Sequence, residues 1–221
     1  MPTIDVYVER GAKRAFASAI DWPGWSRGGR DEAVALEALL ASATRYAKVV
    51  SSTKLGFRPP TSMSDFRVVQ RLPGDATTDF GAPSALSKAD TATLAGADLT
   101  RVEMLIAAAW RALDGATSAA KGKTLATGPR GGGRSLSKIV DHVREAEAGY
   151  LSGLGWKFQV DPKDKVGSVR RAVIEGLRAS ARGEIPAKGP RGGARWRPRK
   201  FARRLAWHAI DHAWEIEDRA G

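Results

Sequence analysis

The amino-acid sequence predicts a mainly α protein in which a small α+β unit, residues 1–80, precedes a four-helix up-and-down bundle, residues 84–221. Two observations support this prediction. Short runs before residue 80 alternate between apolar and polar residues, which is the pattern of half-buried strands. From residue 86 onward the apolar residues recur at helical spacing, and clusters of Gly and Pro divide the sequence into four segments. The change of pattern places the domain boundary at residues 75–85.

The small unit is predicted to contain a β-hairpin, one helix and a third strand. Residues 4–9 and 14–20 form the hairpin, and residues 66–72 complete a short antiparallel sheet. Asp31 is a good helix N-cap, and the apolar residues after it keep helical spacing to about Val50. One face of this helix can then pack on the hairpin.

Four amphipathic helices are predicted in the second part of the chain. Their approximate bounds are 98–119, 135–153, 166–182 and 200–219. Each helix has an apolar stripe that it cannot bury alone, and the second begins at Ser135, a residue type that caps helices well. Helices of similar length with such stripes favour a bundle.

Composition excludes several classes of protein. The chain has no cysteine, which rules out disulfide bonds, a thiolate zinc site and a cysteine nucleophile. Any thiol chemistry therefore needs an external thiol. No apolar run reaches the roughly 18 residues of a membrane span, and the N-terminus lacks the apolar stretch of a signal peptide. We therefore expect a cytoplasmic protein with no membrane partner.

The net charge of +12 raises the question of nucleic acid. Residues 163–204 contain fourteen Lys and Arg and three acids, so eleven of the twelve net charges lie in this basic stretch. Clustered positive charge of this kind is typical of proteins that bind the phosphate backbone. A nucleic acid is therefore a candidate partner, although no helix-turn-helix or other DNA-binding module is evident.

The chain has three histidines, and all lie on the second and fourth predicted helices. His208 and His212 are four residues apart, so they lie on one face of the fourth helix, separated by roughly 6 Å along its axis. An alternating up-and-down chain makes the second and fourth helices parallel, which places His142 at the height of His208. The sequence therefore predicts one divalent metal bound by His142, His208 and His212.

Three neutral imidazoles leave a fourth position open for water or substrate, which is the pattern of a catalytic zinc site. Imidazole ligands suit zinc, nickel, copper and iron alike, so the metal is not identified by its ligands. The alternative is that His142 is an ordinary residue at the edge of the core and the H-x-x-x-H pair is a surface feature, since that motif alone is weak.

The sequence KIVDHVREAE around His142 and the sequence RRLAWHAIDHAWEIEDR around His208 and His212 resemble the DinB-like family of small metalloenzymes. The resemblance implies a four-helix bundle with these three histidines on a catalytic divalent metal, commonly zinc or nickel. It also implies transfer of a low-molecular-weight thiol, such as mycothiol or bacillithiol, to an electrophile, or isomerisation of maleylpyruvate with such a thiol. The usual continuation of the last helix, rich in His, Arg, Gly and Gln, is replaced here by residues 213–217, AWEIE.

Two near-identical Gly- and Arg-rich segments, GPRGGGR at 128–134 and GPRGGAR at 189–195, each precede a His-bearing helix. With those helices parallel, both segments lie at the metal end of the bundle. Their arginines are candidate binding residues for an anionic substrate or thiol cofactor, because guanidinium binds carboxylate in a bidentate fashion. These candidates are Arg130, Arg134, Arg191 and Arg195. The alternative is that both segments are flexible leaders rich in turn-forming residues.

Glu215 follows His212 by three residues and shares the face of the fourth helix that carries the histidines. It is the candidate catalytic residue, as a base, a metal ligand or a carboxylate that orients an imidazole. The alternative is a salt bridge to Arg204 or Arg219, which lie on the same face.

The segment Asp21-Trp22-Pro23-Gly24-Trp25, with Gly28 and residues 31–33, is similar to the strand-to-helix junction of HicB-like antitoxin domains. That resemblance implies a small domain that binds a partner protein. The alternative is a hairpin with a purely structural role, since likeness of fold does not establish function.

The sequence therefore supports two functional hypotheses. The first is a metal-dependent enzyme that transfers a low-molecular-weight thiol to an electrophile, or activates water for hydrolysis, on a small anionic substrate. The second is a basic module that binds nucleic acid or a partner protein and has a structural or vestigial metal site. Trp207 and Trp214 are predicted to point away from the histidines, which leaves them available for a homodimer contact or for the N-terminal unit.

Overall fold

The computed structural model describes residues 3–128 and 133–220. Contacts along the chain divide it into two compact units, residues 1–92 and 93–221. The division falls after the boundary expected from the sequence because Glu9 binds the segment that follows residue 80. The Glu9 side chain is fully buried and accepts hydrogen bonds from the backbone N–H groups of Ser84 and Ala85.

Among its described residues, the first unit contains a four-stranded mixed sheet and three α-helices. The strands are β1, Ile4–Arg10; β2, Ala15–Ala19; β3, Ser26–Gly29; and β4, Phe66–Pro73. Their order is β3-β2-β1-β4, in which β1 pairs antiparallel with β2, and β2 antiparallel with β3. The expectation of a wholly antiparallel sheet is wrong at one edge, where β4 pairs parallel with β1. The long connection from β3 to β4 carries the chain across the sheet, so no tight turn fixes the direction of β4.

The connection between β3 and β4 contains two helices where the sequence predicts one. These are α1, Glu32–Ala41, and α2, Ala43–Val50. Asp31 caps α1 as predicted, since its carboxylate accepts a hydrogen bond from the backbone N–H of Val34 at 2.9 Å. Ser42 separates the helices, and its hydroxyl oxygen accepts a hydrogen bond from the indole of Trp25.

Strand β3 was missed by the sequence analysis because its residues, SRGG, show no apolar alternation. A short helix, α3, Ala76–Phe80, follows β4.

The four helices predicted in the second part of the chain are present. They are α4, Gly96–Ala119; α5, Leu136–Leu154; α6, Lys165–Ala181; and α7, Pro198–Ala220. Ser135 caps α5 as expected, because its hydroxyl accepts a hydrogen bond from the backbone N–H of Lys138. In the part of the chain that the structure describes, no helix is both long and apolar enough to cross a membrane.

Helices α4 and α7 run parallel and share the most extensive contact in the second unit. At the start of both helices, the Arg199 guanidinium donates to the carboxylate of Asp98 and to the carbonyl of Thr93. Beyond the end of α4, the backbone N–H of Ala126 donates to the carbonyl of Arg219, near the end of α7. The two helices are therefore in contact from one end to the other.

Helix α5 runs antiparallel to α7, so the prediction that these two helices are parallel is wrong. The Trp196 N–H, just before α7, donates to the carbonyl of Gly153 near the end of α5. At the opposite end, the Arg219 side chain donates to the carbonyl of Arg134, just before α5. Helix α6 runs parallel to α5, since Gly176 in its second half contacts Trp156 just after α5. The order of the four helices is therefore up, down, down, up, and the alternating up-and-down order predicted from the sequence is wrong.

The segment between α5 and α6, residues 155–164, explains this order. When extended it spans about 30 Å, which matches the length of α5, about 28 Å. It therefore returns the chain to the start of α5, and α6 begins beside that end and runs parallel to α5. Trp156, which follows α5, packs against Gly176 in the second half of α6, as this parallel arrangement requires.

Candidate metal centre

Helices α5 and α7 bring the three histidines together. Their nearest ring nitrogens all lie within 4.8 Å of one another. The ring centroid of His142 is 5.1 Å from those of both His208 and His212, which are 4.6 Å apart. His208 and His212 are buried, while His142 is half-buried. The three rings therefore surround a common point between the two helices.

The two histidines of α7 face each other through Nε2, at a separation of 3.1 Å. Two imidazoles on a tetrahedral metal, with metal–nitrogen bonds of about 2.0 Å, have their ligand atoms about 3.3 Å apart. The observed separation fits this geometry with a small adjustment. The same distance also suits an N–H···N hydrogen bond between the rings.

Glu215 fixes the proton on His212. The Oε2 atom of Glu215 lies 2.7 Å from Nδ1 of His212. An ionised carboxylate only accepts hydrogen bonds, so Nδ1 carries the proton and Nε2 keeps its lone pair directed at the other histidines. This is the tautomer that a metal ligand needs, with a carboxylate behind it.

The pKa of Glu215 is lowered to about 2, first by the hydrogen bond from His212 and next by that from Arg219. Arg219 donates through NH1 to the second carboxylate oxygen, Oε1, at 2.6 Å. Two of the roles considered for Glu215, orienting an imidazole and forming a salt bridge, therefore occur together. A carboxylate with so low a pKa is a weak base, which favours a positioning role over proton abstraction.

The environment keeps two of the histidines neutral. Burial lowers the pKa of His208 well below its ordinary value, and a proton on this ring would also be repelled by any proton on the neighbouring imidazoles and by Arg204 and Arg134. The pKa of His142 is also lowered, by burial first and then by Arg134. Neutral imidazoles have the free lone pair that metal binding requires.

Tyr150 and Arg204 form one wall of this centre, which the sequence analysis did not predict. The Tyr150 ring meets His208 edge-on, with centroids 5.8 Å apart. The Arg204 Nε donates to the phenol oxygen at 3.2 Å, and its guanidinium lies over the ring of Trp207. The sequence analysis placed Arg204 on the histidine face as a possible partner of Glu215, but Glu215 pairs with Arg219, and Arg204 binds Tyr150 instead.

The three candidate arginines within the described residues do not gather at the metal centre. Arg134 lies near it, since its charge lowers the pKa of His142. Arg195 packs against Gly155, about 20 Å along α5 from His142, and donates to the carbonyl of Pro186. Because α5 and α7 are antiparallel, Arg134 and Arg195, which lie just before these helices, are at opposite ends. The prediction that both loops lie at the metal end is therefore wrong. Arg191 is exposed in the far loop, and Arg130 lies outside the described residues.

The basic stretch 163–204 is partly neutralised by ion pairs. At least five of its arginines bind carboxylates: Arg170 with Asp114, Arg171 with Asp164, Arg178 with Glu103, Arg182 with Glu184, and Arg199 with Asp98. Three of these carboxylates belong to α4, which lies outside the stretch. The local excess of positive charge is therefore smaller than the sequence alone indicates.

Comparison with known proteins adds no further assignment. No protein-family model, curated protein or solved structure matches the chain. The resemblances to DinB-like and HicB-like proteins therefore remain predictions from sequence motifs.

Proposed function

We propose that this protein is a metal-dependent enzyme of the DinB-like kind, in which residues 93–221 form a four-helix bundle. His142, His208 and His212 would hold one divalent metal, zinc or nickel. The observation that carries the proposal is the convergence of three imidazole nitrogens within 4.8 Å of one another. In the part of the chain that the structure describes, this group contains three ligands, the number typical of catalytic sites that keep one position open.

The bound metal would supply a Lewis acid and would lower the pKa of a coordinated thiol or water. The chain has no cysteine, so the thiol must belong to a small molecule such as mycothiol. Glu215 would hold His212 in its metal-binding tautomer, since its carboxylate accepts the Nδ1 proton. Arg134 and Arg204 place positive charge beside the histidines, as their effect on His208 indicates, which favours an anionic substrate or cofactor. Thiol transfer to an electrophile, or hydrolysis, follows from these properties.

Elemental analysis of the untagged protein tests the metal. We expect close to one equivalent of zinc or nickel in the wild type and none in a His208→Ala, His212→Ala double variant. Glu217→Gln, an exposed acid on the same helix, is the matched control and should keep the metal. Because two buried side chains change, circular dichroism must show that the double variant is folded. His142→Ala alters a half-buried ligand alone and should also lose metal.

Turnover tests the reaction. The metal-loaded protein should consume mycothiol-type thiols in the presence of a panel of electrophiles, or hydrolyse members of an ester and amide panel. Activity should disappear in His142→Ala and persist in Glu217→Gln. Absence of metal in the wild type, even after reconstitution with zinc and nickel, would contradict the proposal as a whole. Metal without turnover would contradict the enzymatic part.

A further inference from the structure

A cavity of about 270 Å³ lies between α4, α5 and α6, on the face of α5 opposite His142. Much of its wall is apolar, formed by Leu113, Val140, Val143 and Val166. Its volume is just below the range of about 300–1,000 Å³ typical of pockets for drug-sized ligands. None of the three histidines lines it, so we call it the α4–α5–α6 pocket and treat it separately from the metal centre.

Three polar side chains on the wall of this pocket have hydrogen-bonding capacity left over. Glu147 is buried, and its Oε1 accepts a hydrogen bond from the Trp110 indole at 2.7 Å. The hydroxyl oxygen of Thr117 and Nε of Arg170 are buried and have no hydrogen-bond partner among the described residues. Buried polar atoms without partners are costly, so a ligand that satisfies them is favoured.

The charges around the pocket are largely compensated. The NH1 and NH2 groups of Arg170 bind both carboxylate oxygens of Asp114, each at 2.7 Å. Arg144, at the rim, forms ion pairs with Asp141 and Glu145. The electrostatics therefore favour a ligand without net charge.

The hydrogen-bonding groups narrow the chemistry of the ligand. Arg170 Nε only donates, so it needs an acceptor, and the Thr117 hydroxyl can donate to the same acceptor. The ionised Glu147 carboxylate needs a donor, and in the protonated form its carbonyl oxygen can still accept a hydrogen bond from one. A second anion is disfavoured here, since burial already raises the pKa of Glu147 to about 7. An ammonium group would leave Arg170 Nε unsatisfied and would meet its positive charge.

We propose that the α4–α5–α6 pocket binds a small uncharged carboxamide. Its carbonyl oxygen accepts hydrogen bonds from Arg170 Nε and the Thr117 hydroxyl, its N–H donates to Glu147, and its apolar body lies against Leu113 and the valines. This site does not depend on the metal or on the reaction proposed above.

The test compares three probes of the same shape: 3-phenylpropanamide, 3-phenylpropanoate and 3-phenylpropylamine. Binding is followed by NMR of the tryptophan indole N–H groups, with the Trp110 signal identified from its loss in Trp110→Phe. That N–H donates to Glu147, so it reports on the pocket. We expect the amide to shift the Trp110 signal and to bind about tenfold more tightly than either charged probe.

Thr117→Val provides the decisive variant, because it removes the hydroxyl and keeps the shape of the side chain. It should weaken amide binding about tenfold, while Thr100→Val, an exposed change on the same helix, should leave binding unchanged. His142→Ala should bind the amide as the wild type does, which separates this site from the metal centre. Equal affinity for the three probes, a Trp110 signal that does not move, or unaltered binding by Thr117→Val would each overturn the proposal.

Discussion

A carboxyl group lies on each side of α5, Glu215 of α7 on one side and Glu147 of α5 itself on the other, and the two groups differ in pKa. On the side facing α7, Glu215 accepts hydrogen bonds from His212 and Arg219, and its pKa is lowered to about 2. On the side facing α4 and α6, Glu147 accepts one hydrogen bond from the neutral indole of Trp110, and burial raises its pKa to about 7. The partners that each carboxyl finds therefore decide its ionisation as much as its burial does.

The difference in pKa between the two carboxyl groups matches the role proposed for each: metal binding beside Glu215 and ligand binding beside Glu147. A permanently ionised carboxylate beside an imidazole holds the tautomer that a metal ligand requires. A carboxyl group that titrates near neutral pH, in a largely apolar pocket, suits an uncharged ligand that only exchanges hydrogen bonds. Three substitutions, taken from the largest expected effect to the smallest, test this contrast.

Glu147→Gln is expected to have the largest effect, on the pH dependence of stability. The folded pKa of Glu147, about 7, lies above its ordinary value of 4.5. The folded state then binds more protons than the unfolded state, so the contribution of this group is fully present below pH 4.5 and is lost as pH rises through 7. The loss amounts to about 3 kcal/mol. Gln cannot ionise, so the variant should gain stability relative to the wild type across this interval.

Urea unfolding at a series of pH values measures this difference. The neighbouring charges are Arg170, which opposes the rise in pKa, and Asp114, which adds to it. Glu145→Gln, on the exposed face of α5, is the control and should leave the profile close to that of the wild type. If the Glu147→Gln profile runs parallel to that of the wild type, folding does not raise the pKa of Glu147. The carboxyl group would then be ionised at neutral pH, as Glu215 is, and the contrast between the two groups would be contradicted.

The sequence predicted the helices and the histidine cluster but not the directions of the helices. Apolar periodicity determines where each helix lies, whereas direction depends on the path of residues 155–164, which carry no periodic signal. The histidine cluster was predicted although the relative direction of α5 and α7 was wrong, because His208 and His212 lie near the middle of α7, Pro198–Ala220. Reversing a helix about its middle moves such residues little. Arg195, just before the start of α7, moves from one end of the unit to the other.

Glu215→Gln is expected to have the next largest effect, on metal affinity. Gln keeps an oxygen that can accept from His212, but it removes the negative charge that stabilises the imidazole and leaves buried Arg219 without its counter-charge. Loss of such a supporting group typically lowers metal affinity about 10- to 100-fold. Competition with a zinc chelator measures the change, and Glu217→Gln should bind as the wild type does. Wild-type affinity in Glu215→Gln would mean that the carboxylate serves only the ion pair.

Tyr150→Phe should have the smallest effect of the three, and it tests which residues on the metal side support the ligands. The substitution removes the phenol oxygen that accepts from Arg204 and keeps the ring edge-on to His208. The free energy of unfolding should fall by about 1 kcal/mol, the usual cost of one hydrogen bond.

Metal affinity should stay the same in Tyr150→Phe, because the proton on His212 is held by Glu215 and not by the phenol. Urea unfolding with and without metal, alongside chelator competition, separates the two quantities. A double-variant cycle with Arg204→Gln then assigns the stability change to the Tyr150–Arg204 contact, since the two single changes remove opposite partners of one hydrogen bond. If Tyr150→Phe lowers metal affinity as much as Glu215→Gln, then the phenol positions His208 in the way that the carboxylate positions His212. Support for the ligands would in that case be shared between α5 and α7.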